Sequence, residues 1–225
     1  MRCHWLRRDR NNTACILFMA GWGMDPAPFA DLAMPGHDLL MVYDYRDLTP
    51  PDLSCLAGYR QRHLLAWSMG VWAASRQLAA PPFFFHSATA LAGTLQPVHD
   101  RCGIPTAAFD ATLSSLDRDA ADAFYRSMFD EPDQAERFLA RRPDRSTASL
   151  RKELERLKTA CLGQGPGPDI FDRRIVTSRD RVFPARNQKR AWQGTVSVTR
   201  KWPHFPFYRA DFRVLLPAQD QVDTL

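Results

Sequence analysis

The amino-acid sequence predicts an α/β protein with a mostly parallel central sheet, because three patterns recur along the chain. Short apolar runs of strand length are typical of strands that are buried on both faces. Segments of helical pattern separate several of these runs, and loops rich in glycine or charge follow their carboxyl ends. Strands that alternate with helices in this way form parallel sheets that are covered on both sides.

Six segments are predicted to form the strands of this sheet. The first is the continuous apolar run ACILFMA at residues 14–20, and DLLMVYDY at 38–45 is the second. The third is RHLLAW at 62–67, and the segment GVWAASRQLA that follows it is predicted to be a helix. The remaining strands are expected in FFFHSATALAG at 83–93, RRIVTSRD at 173–180 and GTVSVTR at 194–200, with a helix ARNQKRAWQ after the fifth.

Between the fourth and fifth strands, at about residues 109–163, the pattern becomes helical and highly charged. Pro132 and Pro143 are expected to divide this stretch into several helices. One helical face is marked by apolar residues at i, i+4, i+7 and i+11, namely Leu150, Leu154, Leu157 and Cys161. We therefore expect residues 1–225 to form a single domain in which the insertion is a helical lid over the carboxyl ends of the strands.

Composition narrows the possible function classes. The 225-residue chain carries a formal net charge of +5, which suits an acidic partner or an anionic substrate. No recognisable nucleic-acid-binding motif accompanies this charge, and no apolar run is long enough to span a bilayer. The five cysteines are scattered without metal-ligand spacing. We therefore expect reduced thiols in a cytoplasmic protein, with no metal, no nucleic acid and no membrane involved.

The segment AWSMG places Ser68 between the third strand and its helix. A nucleophilic serine at a sharp strand-to-helix turn needs small residues two positions before and two after it, because strand and helix pass closely there. Ala66 and Gly70 occupy these positions, although alanine replaces the usual first glycine. The alternative is a serine that caps the amino terminus of the helix.

A glycine-rich loop, GWGMD at residues 21–25, follows the first predicted strand. A serine esterase needs two backbone N–H groups that stabilise the oxyanion of its tetrahedral intermediate. The amide of Trp22 would be one donor, and the amide of Met69 would be the other. The alternative is an ordinary glycine-rich turn.

A carboxylate and a histidine follow later strands. Asp180 comes after the fifth strand, and its alternative is a surface aspartate that pairs with Arg179 or Arg181. His204, in KWPHFPF, comes after the sixth strand. The order of oxyanion loop, Ser68, Asp180 and His204 is the one that α/β-hydrolases use, so we predict that these residues form a catalytic triad.

Five segments carry a resemblance to a known family: FMAGWGMD, AWSMGVWAA, LAGTLQPVHDRCGIP, SRDRVFPARNQ and PHFPF. They resemble the BioG-type pimeloyl-[acyl-carrier protein] methyl ester esterases of biotin synthesis, over about Ile16 to Phe207. The resemblance implies an α/β-hydrolase that cleaves the methyl ester of pimeloyl-carrier protein through an acyl-enzyme on Ser68. It implies no cofactor, and its partner would be an acyl carrier protein.

Further residues are assigned to the substrate and to the carrier protein. The aromatic residues expected to line the acyl channel are Trp22, Trp67, Phe124 and Phe129, with plain core packing as the alternative. Carrier proteins are acidic, so a basic rim near the site would steer them. The docking candidates, close to one helical face of the insertion, are Arg137, Arg141, Arg142 and Arg145, although a basic run is usually a solvated face.

Two other functions remain compatible with the sequence. A hydrolase of a small free ester or thioester would use the same triad and ignore carrier protein. A catalytically silent hydrolase fold would only bind a partner, but such a protein has no need to keep all three triad residues. No pattern in the sequence specifies an oligomer, and we expect a monomer.

Overall fold

The computed structural model describes residues 1–9, 11–79 and 85–209, and within them seven strands form one sheet. The strands are β1 Arg2–Arg7, β2 Ala14–Met19, β3 His37–Tyr43, β4 Gln61–Trp67, β5 Ser87–Leu91, β6 Arg173–Thr177 and β7 Val198–Arg200. Their order across the sheet is β1-β3-β2-β4-β5-β6-β7. Every neighbouring pair is parallel except β1 and β3, which are antiparallel.

Six α-helices connect these strands within the described residues: α1 Met69–Gln77, α2 Thr106–Ser114, α3 Arg118–Ser127, α4 Pro132–Leu139, α5 Thr147–Gln164 and α6 Ala185–Ala191. Helices α2 to α5 lie in succession between β5 and β6. Pro132 is the first residue of α4, and Pro143 lies in the loop before α5, so both prolines separate helices as expected. The apolar face predicted for α5 is buried. None of the described helices has the length and apolarity needed to cross a membrane.

The predicted α/β class and the mostly parallel sheet are confirmed. All six predicted strands occur, with ends that differ by a few residues. The fourth begins at Ser87, and residues 83 and 84 of that prediction lie outside the described part of the chain. The sixth is only three residues long and begins at Val198, after a turn in which Gly194 has a φ of +85°.

The edge strand β1 is not among the strands that the sequence predicts. Its residues, RCHWLR, are mostly exposed and carry three basic or imidazole side chains besides its apolar ones. Within the described residues, β1 pairs with β3 alone and lies at the edge of the sheet. Its sequence lacks the continuous apolar run that marks a strand buried on both faces. Charged residues are common on such edges, where they discourage pairing with other chains.

The topology brings several loops to one end of the sheet. From β2 the chain crosses first to β3 on one side and then to β4 on the other. Where the direction of winding reverses in this way, a crevice opens at the carboxyl ends of the strands. The loop after β2 and the turn after β4 therefore meet at this crevice, and the loops after β6 and β7 end on the same side.

Candidate active site

The turn between β4 and α1 holds Ser68 in a strained backbone conformation. Its φ is 59° and its ψ is −128°, in the left-handed region that non-glycine residues rarely adopt. At Gly70 the helix touches the neighbouring strand, because a Cβ there would lie 2.3 Å from the carbonyl oxygen of Met19. Ala66, which pairs with Met19 across the sheet, is fully buried. Alanine is therefore small enough at this position.

The hydroxyl of Ser68 faces a histidine rather than its own helix. Ser68 occupies the N-cap position of α1, but its side chain makes no capping hydrogen bond within the described residues. Its Oγ lies 3.1 Å from Nε2 of His204. Both side chains are buried, with 5% and 1% of their residue surfaces exposed. The geometry thus disfavours the interpretation of Ser68 as a simple cap.

His204 connects this serine to Asp180. Its Nδ1 lies 2.8 Å from Oδ2 of Asp180. In the neutral tautomer with its proton on Nδ1, that proton points to the carboxylate and Nε2 can accept the hydroxyl proton. Phe183 stacks parallel to the imidazole, with ring centroids 5.9 Å apart. The indole N–H of Trp67 donates a 2.8 Å hydrogen bond to the His204 carbonyl oxygen. The ring is therefore fixed in orientation from several sides.

The carboxylate of Asp180 is held by four further hydrogen bonds. Its Oδ2 accepts from Thr177 Oγ1 at 2.8 Å and from Gln188 Nε2 at 3.0 Å. Its Oδ1 accepts from the backbone amides of Val182 and Phe183, at 2.8 Å and 2.7 Å. Together with His204, these donors fix the position and orientation of the carboxylate beside the imidazole.

Two residues that bind the Asp180 carboxylate were not predicted from the sequence. Thr177 ends β6 and Gln188 lies in α6, and neither belongs to a pattern that marks a site. The predicted alternative for Asp180 was an ion pair with a neighbouring arginine. Arg179 instead pairs with Asp130 at 2.5 Å, and Asp180 faces inward.

The glycine-rich loop after β2 lies against the serine. A Cβ at Gly21 would be 3.1 Å from Cβ of Ser68, so only glycine allows this approach without a shift of the neighbouring atoms. The amide of Met69 belongs to the first turn of α1, where N–H groups have no intrahelical acceptor. Within the loop, the indole N–H of Trp22 donates a hydrogen bond to the Leu150 carbonyl at 2.9 Å.

A cavity of about 170 Å³ opens beside Ser68 and His204. Of the aromatic residues expected to line an acyl channel, Trp22, Trp67 and Phe124 line this cavity. Phe129 does not line this cavity, so the prediction that it lines the acyl channel is wrong. It is 3% exposed and packs against other buried aromatic rings, with its nearest ring centroid at 5.1 Å, so it belongs to the core behind the histidine loop.

The cavity wall is largely apolar and includes residues from the insertion, namely Phe109, Thr112, Phe124, Ser127, Met128 and Leu154. Arg181 also lines the cavity and is exposed. Among the described residues, no three His, Cys, Asp or Glu side chains are grouped so that they could hold a metal ion.

The four arginines expected to dock a carrier protein do not share a helical face, because α4 ends at Leu139. Arg137 and Arg141 are half-exposed and both pair with Asp31. Arg142 makes two hydrogen bonds to a carboxylate on α3, at 2.5 Å and 2.7 Å.

The prediction that Arg145 docks a carrier protein is wrong, because its side chain is only 6% exposed. Beyond the end of α4 the chain turns, and the guanidinium points inward to Glu153 at 3.0 Å and to the Met24 carbonyl at 3.1 Å. A buried guanidinium with these partners is not available to an approaching protein.

The chain is similar in sequence and in fold to known proteins. A family model described as pimeloyl-ACP methyl esterase BioG matches residues 1–210. The chain belongs to this family. The crystal structure of BioG from Haemophilus influenzae is 33% identical in sequence, with a TM-score of 0.83 over 96% of this chain and 99% of that one. The BioG resemblance seen in the sequence is therefore confirmed.

Two other proteins are similar to this chain, one in part of its length and one in fold. The malonyl-[acyl-carrier protein] O-methyltransferase of Bacteroides fragilis is 36% identical over 191 residues. That match covers 85% of this chain, which spans only 38% of the length of that relative. A lipase-esterase related protein from Clostridium acetobutylicum is 12% identical, with a TM-score of 0.60 over 91% of this chain and 92% of its own. It supports the α/β-hydrolase fold alone.

The contact between α1 and β2 can be tested with a single methyl group. Gly70→Ala would place a Cβ 2.3 Å and 2.5 Å from two backbone oxygens of β2 and the residue after it, so helix and strand must separate. Overpacking of this kind costs about 1–3 kcal/mol. We expect a loss of about 2–10 °C in Tm, measured by thermal denaturation.

Gly58→Ala is the matched control, because a Cβ there meets no described atom within 4 Å. It should change Tm by less than about 2 °C. Equal Tm values for the two variants would show that α1 does not pass β2 as closely as the structure has it.

Proposed function

We propose that this protein is a serine carboxylesterase that hydrolyses the methyl ester of pimeloyl-[acyl-carrier protein] in biotin synthesis. The observation that carries the proposal is the chain of contacts Ser68–His204–Asp180, with separations of 3.1 Å and 2.8 Å. It occurs in a protein of the BioG family, beside a largely apolar cavity. A nucleophile, a base and an orienting carboxylate in this arrangement are what acyl transfer requires.

In the proposed mechanism, Nε2 of His204 accepts the hydroxyl proton while Oγ of Ser68 attacks the ester carbonyl. Asp180 holds the imidazole in the required tautomer and stabilises the imidazolium. The imidazolium then donates its proton to the departing methoxide, and methanol leaves an acyl-enzyme. Water, activated by the same imidazole, attacks the acyl-enzyme and releases the free carboxylate and the serine hydroxyl.

The amides of Trp22 and Met69 are the proposed oxyanion donors. Support comes from the approach of the glycine-rich loop to Ser68 and from the position of Met69 in the first turn of α1. Each donor of this kind typically contributes about 100- to 1000-fold to the rate. No cofactor is needed for this chemistry.

The proposed acyl channel is the cavity with Trp22, Trp67 and Phe124 in its wall. Apolar walls suit a chain of methylene groups, whose burial is worth about 0.8 kcal/mol for each CH₂. The chain is proposed to form one domain over residues 1–225, with residues 109–163 as its lid. This lid supplies part of the cavity wall.

The proposed partner is an acyl carrier protein, and the proposed docking surface includes Arg137 and Arg141. Both are about half-exposed, at 48% and 47% of their side-chain surface. Arg142 is a weaker candidate, since it is 25% exposed and bound to Asp122. An esterase of this kind is expected in the cytoplasm, and as a monomer. The five cysteines are free thiols, which suits that compartment.

The proposed activity predicts one mass change that depends on Ser68. Methyl-pimeloyl-carrier protein incubated with the parent enzyme should lose the mass of one CH₂ group, measured by intact-protein mass spectrometry. Ser68→Ala should slow this reaction on the order of a millionfold, because no nucleophile remains. Ser75→Ala is the matched control, since it removes another buried hydroxyl from α1 and should leave the rate unchanged.

Three outcomes would contradict the proposal in different ways. If Ser68→Ala kept a tenth of the activity, the mechanism would be wrong. A parent that hydrolyses free esters but not the carrier-bound ester would indicate a small-ester hydrolase. A folded parent that hydrolyses neither would indicate a protein that only binds a partner.

The docking surface predicts an effect confined to carrier-bound substrate. Reversal of two charges in Arg137→Glu/Arg141→Glu should raise KM for the carrier-bound ester about tenfold or more, because repulsion replaces steering. KM for a free methyl ester should stay the same. The control is Arg7→Glu/Arg8→Glu, since Arg7 pairs with Leu39 near the amino end of β3, away from the site. Equal effects on both substrates would remove these arginines from the docking surface.

A further inference from the structure

A buried carboxylate lies in the middle of α5. Glu153 has none of its surface exposed, and an isolated charge in such a place is strongly unfavourable. Its partner is the guanidinium of Arg145, whose side chain is 6% exposed, with Nη2 3.0 Å from Oε2. The triad does not use this pair.

Glu153 binds the backbone of two loops at the carboxyl ends of strands. Its Oε1 accepts a 2.8 Å hydrogen bond from the Tyr45 amide, just after β3. Its Oε2 accepts a 3.3 Å hydrogen bond from the Gly23 amide. Gly23 is in the loop after β2 and directly follows Trp22. One side chain of the insertion therefore fixes the residue next to the proposed oxyanion donor.

Arg145 holds the same loop from its other side. Its Nη1 donates to the Met24 carbonyl at 3.1 Å, and its Nη2 lies 3.5 Å from Oδ1 of Asp44. Arg46 and Arg145 lower the pKa of the Asp44 carboxyl. Burial raises the pKa of Glu153, and the Arg145 charge opposes that effect. The pair and its partners form a closed polar network around the loop.

Two uncharged contacts reinforce this attachment. The hydroxyl of Tyr125, on α3, donates to the Gly23 carbonyl at 3.1 Å. The indole N–H of Trp22 donates to the Leu150 carbonyl, one turn before Glu153 on α5. Displacement of α5 would break the bonds that locate both Trp22 and Gly23.

We propose that Glu153 and Arg145 are positioning residues that hold the Trp22 amide in the oxyanion hole. This inference rests on the proposed function and adds a second role for the insertion: α5 stays fixed and shapes the catalytic loop. A misplacement of about 1 Å in such a group can cost about 100-fold in rate. An ion pair in a water-excluded interior holds its geometry tightly, because the loss of one partner leaves an unpaired charge.

The first test is Glu153→Gln, which keeps the shape of the side chain. The amide of glutamine places an NH₂ group against backbone or guanidinium donors in either orientation, so one donor loses its acceptor. We expect kcat to fall about 10- to 100-fold, with KM within about threefold of the parent value. The substrates are methyl-pimeloyl-carrier protein and a p-nitrophenyl ester, assayed on folded protein of known concentration.

A second measurement separates positioning from a general loss of structure. An alkyl boronic acid adds to Ser68 and presents a negatively charged oxygen to the oxyanion hole, as a transition-state analogue does. Its inhibition constant should rise in Glu153→Gln by about the factor by which kcat falls. A merely structural role would lower Tm without this parallel change.

Two variants complete the experiment. Asp169→Asn is the matched control, since Asp169 pairs with Arg174 near the start of β6 and should leave kcat and boronate affinity unchanged. Arg145→Lys keeps the positive charge and should retain more activity than Arg145→Met, because it still compensates Glu153. If Glu153→Gln fails to fold, the comparison of Arg145→Lys with Arg145→Met tests the positioning role instead.

The outcomes distinguish this inference from the proposed function. Parental kcat and boronate affinity in folded Glu153→Gln would overturn the inference and leave the function intact. A fall in kcat without a loss of boronate affinity would overturn it as well. A parent that cleaves only the p-nitrophenyl ester would contradict the proposed substrate, and that ester would still test the positioning. A parent that cleaves neither ester would overturn both.

Discussion

The strained turn at Ser68 is the constraint on which the site depends. A non-glycine residue with a φ of 59° costs about 1–3 kcal/mol, and it persists because its surroundings allow no alternative. Strand β4 is central in the sheet, and α1 is pressed against the backbone of β2 at Gly70. The hydroxyl is thereby directed away from the helix and toward the loops that follow β6 and β7. The same strand also supplies Trp67, which anchors the backbone of His204.

The insertion acts on this site through the loop after β2. Helices α3 and α5 contact the loop through Tyr125, Leu150 and Glu153, while β4 and α1 hold the serine itself. The two halves of the proposed site, nucleophile and oxyanion loop, are thus fixed by different parts of the chain. Helix α5 therefore binds the loop through buried polar groups.

Much of the fold and the order of the site residues could be predicted from the sequence, because buried strands leave a recognisable pattern. Parallel strands are buried on both faces and appear as continuous apolar runs, and their carboxyl ends carry the functional loops. The solvated edge strand β1 lacks that pattern. The burial of Glu153 and Arg145 could not be predicted from the sequence either, because charged side chains are rarely buried unless they are paired. Their partners in the loops after β2 and β3 lie 100 or more residues away in sequence, and only the folded chain brings them together.

The most direct test of the central claim is covalent labelling of the parent protein with an alkyl fluorophosphonate, followed by peptide mapping. A fluorophosphonate phosphonylates a serine, with loss of fluoride, only when a neighbouring base and an oxyanion hole activate it. The account predicts a single adduct on Ser68, formed more slowly in the presence of saturating methyl ester. An adduct on another residue with Ser68 unmodified, or no adduct on folded protein, would contradict it.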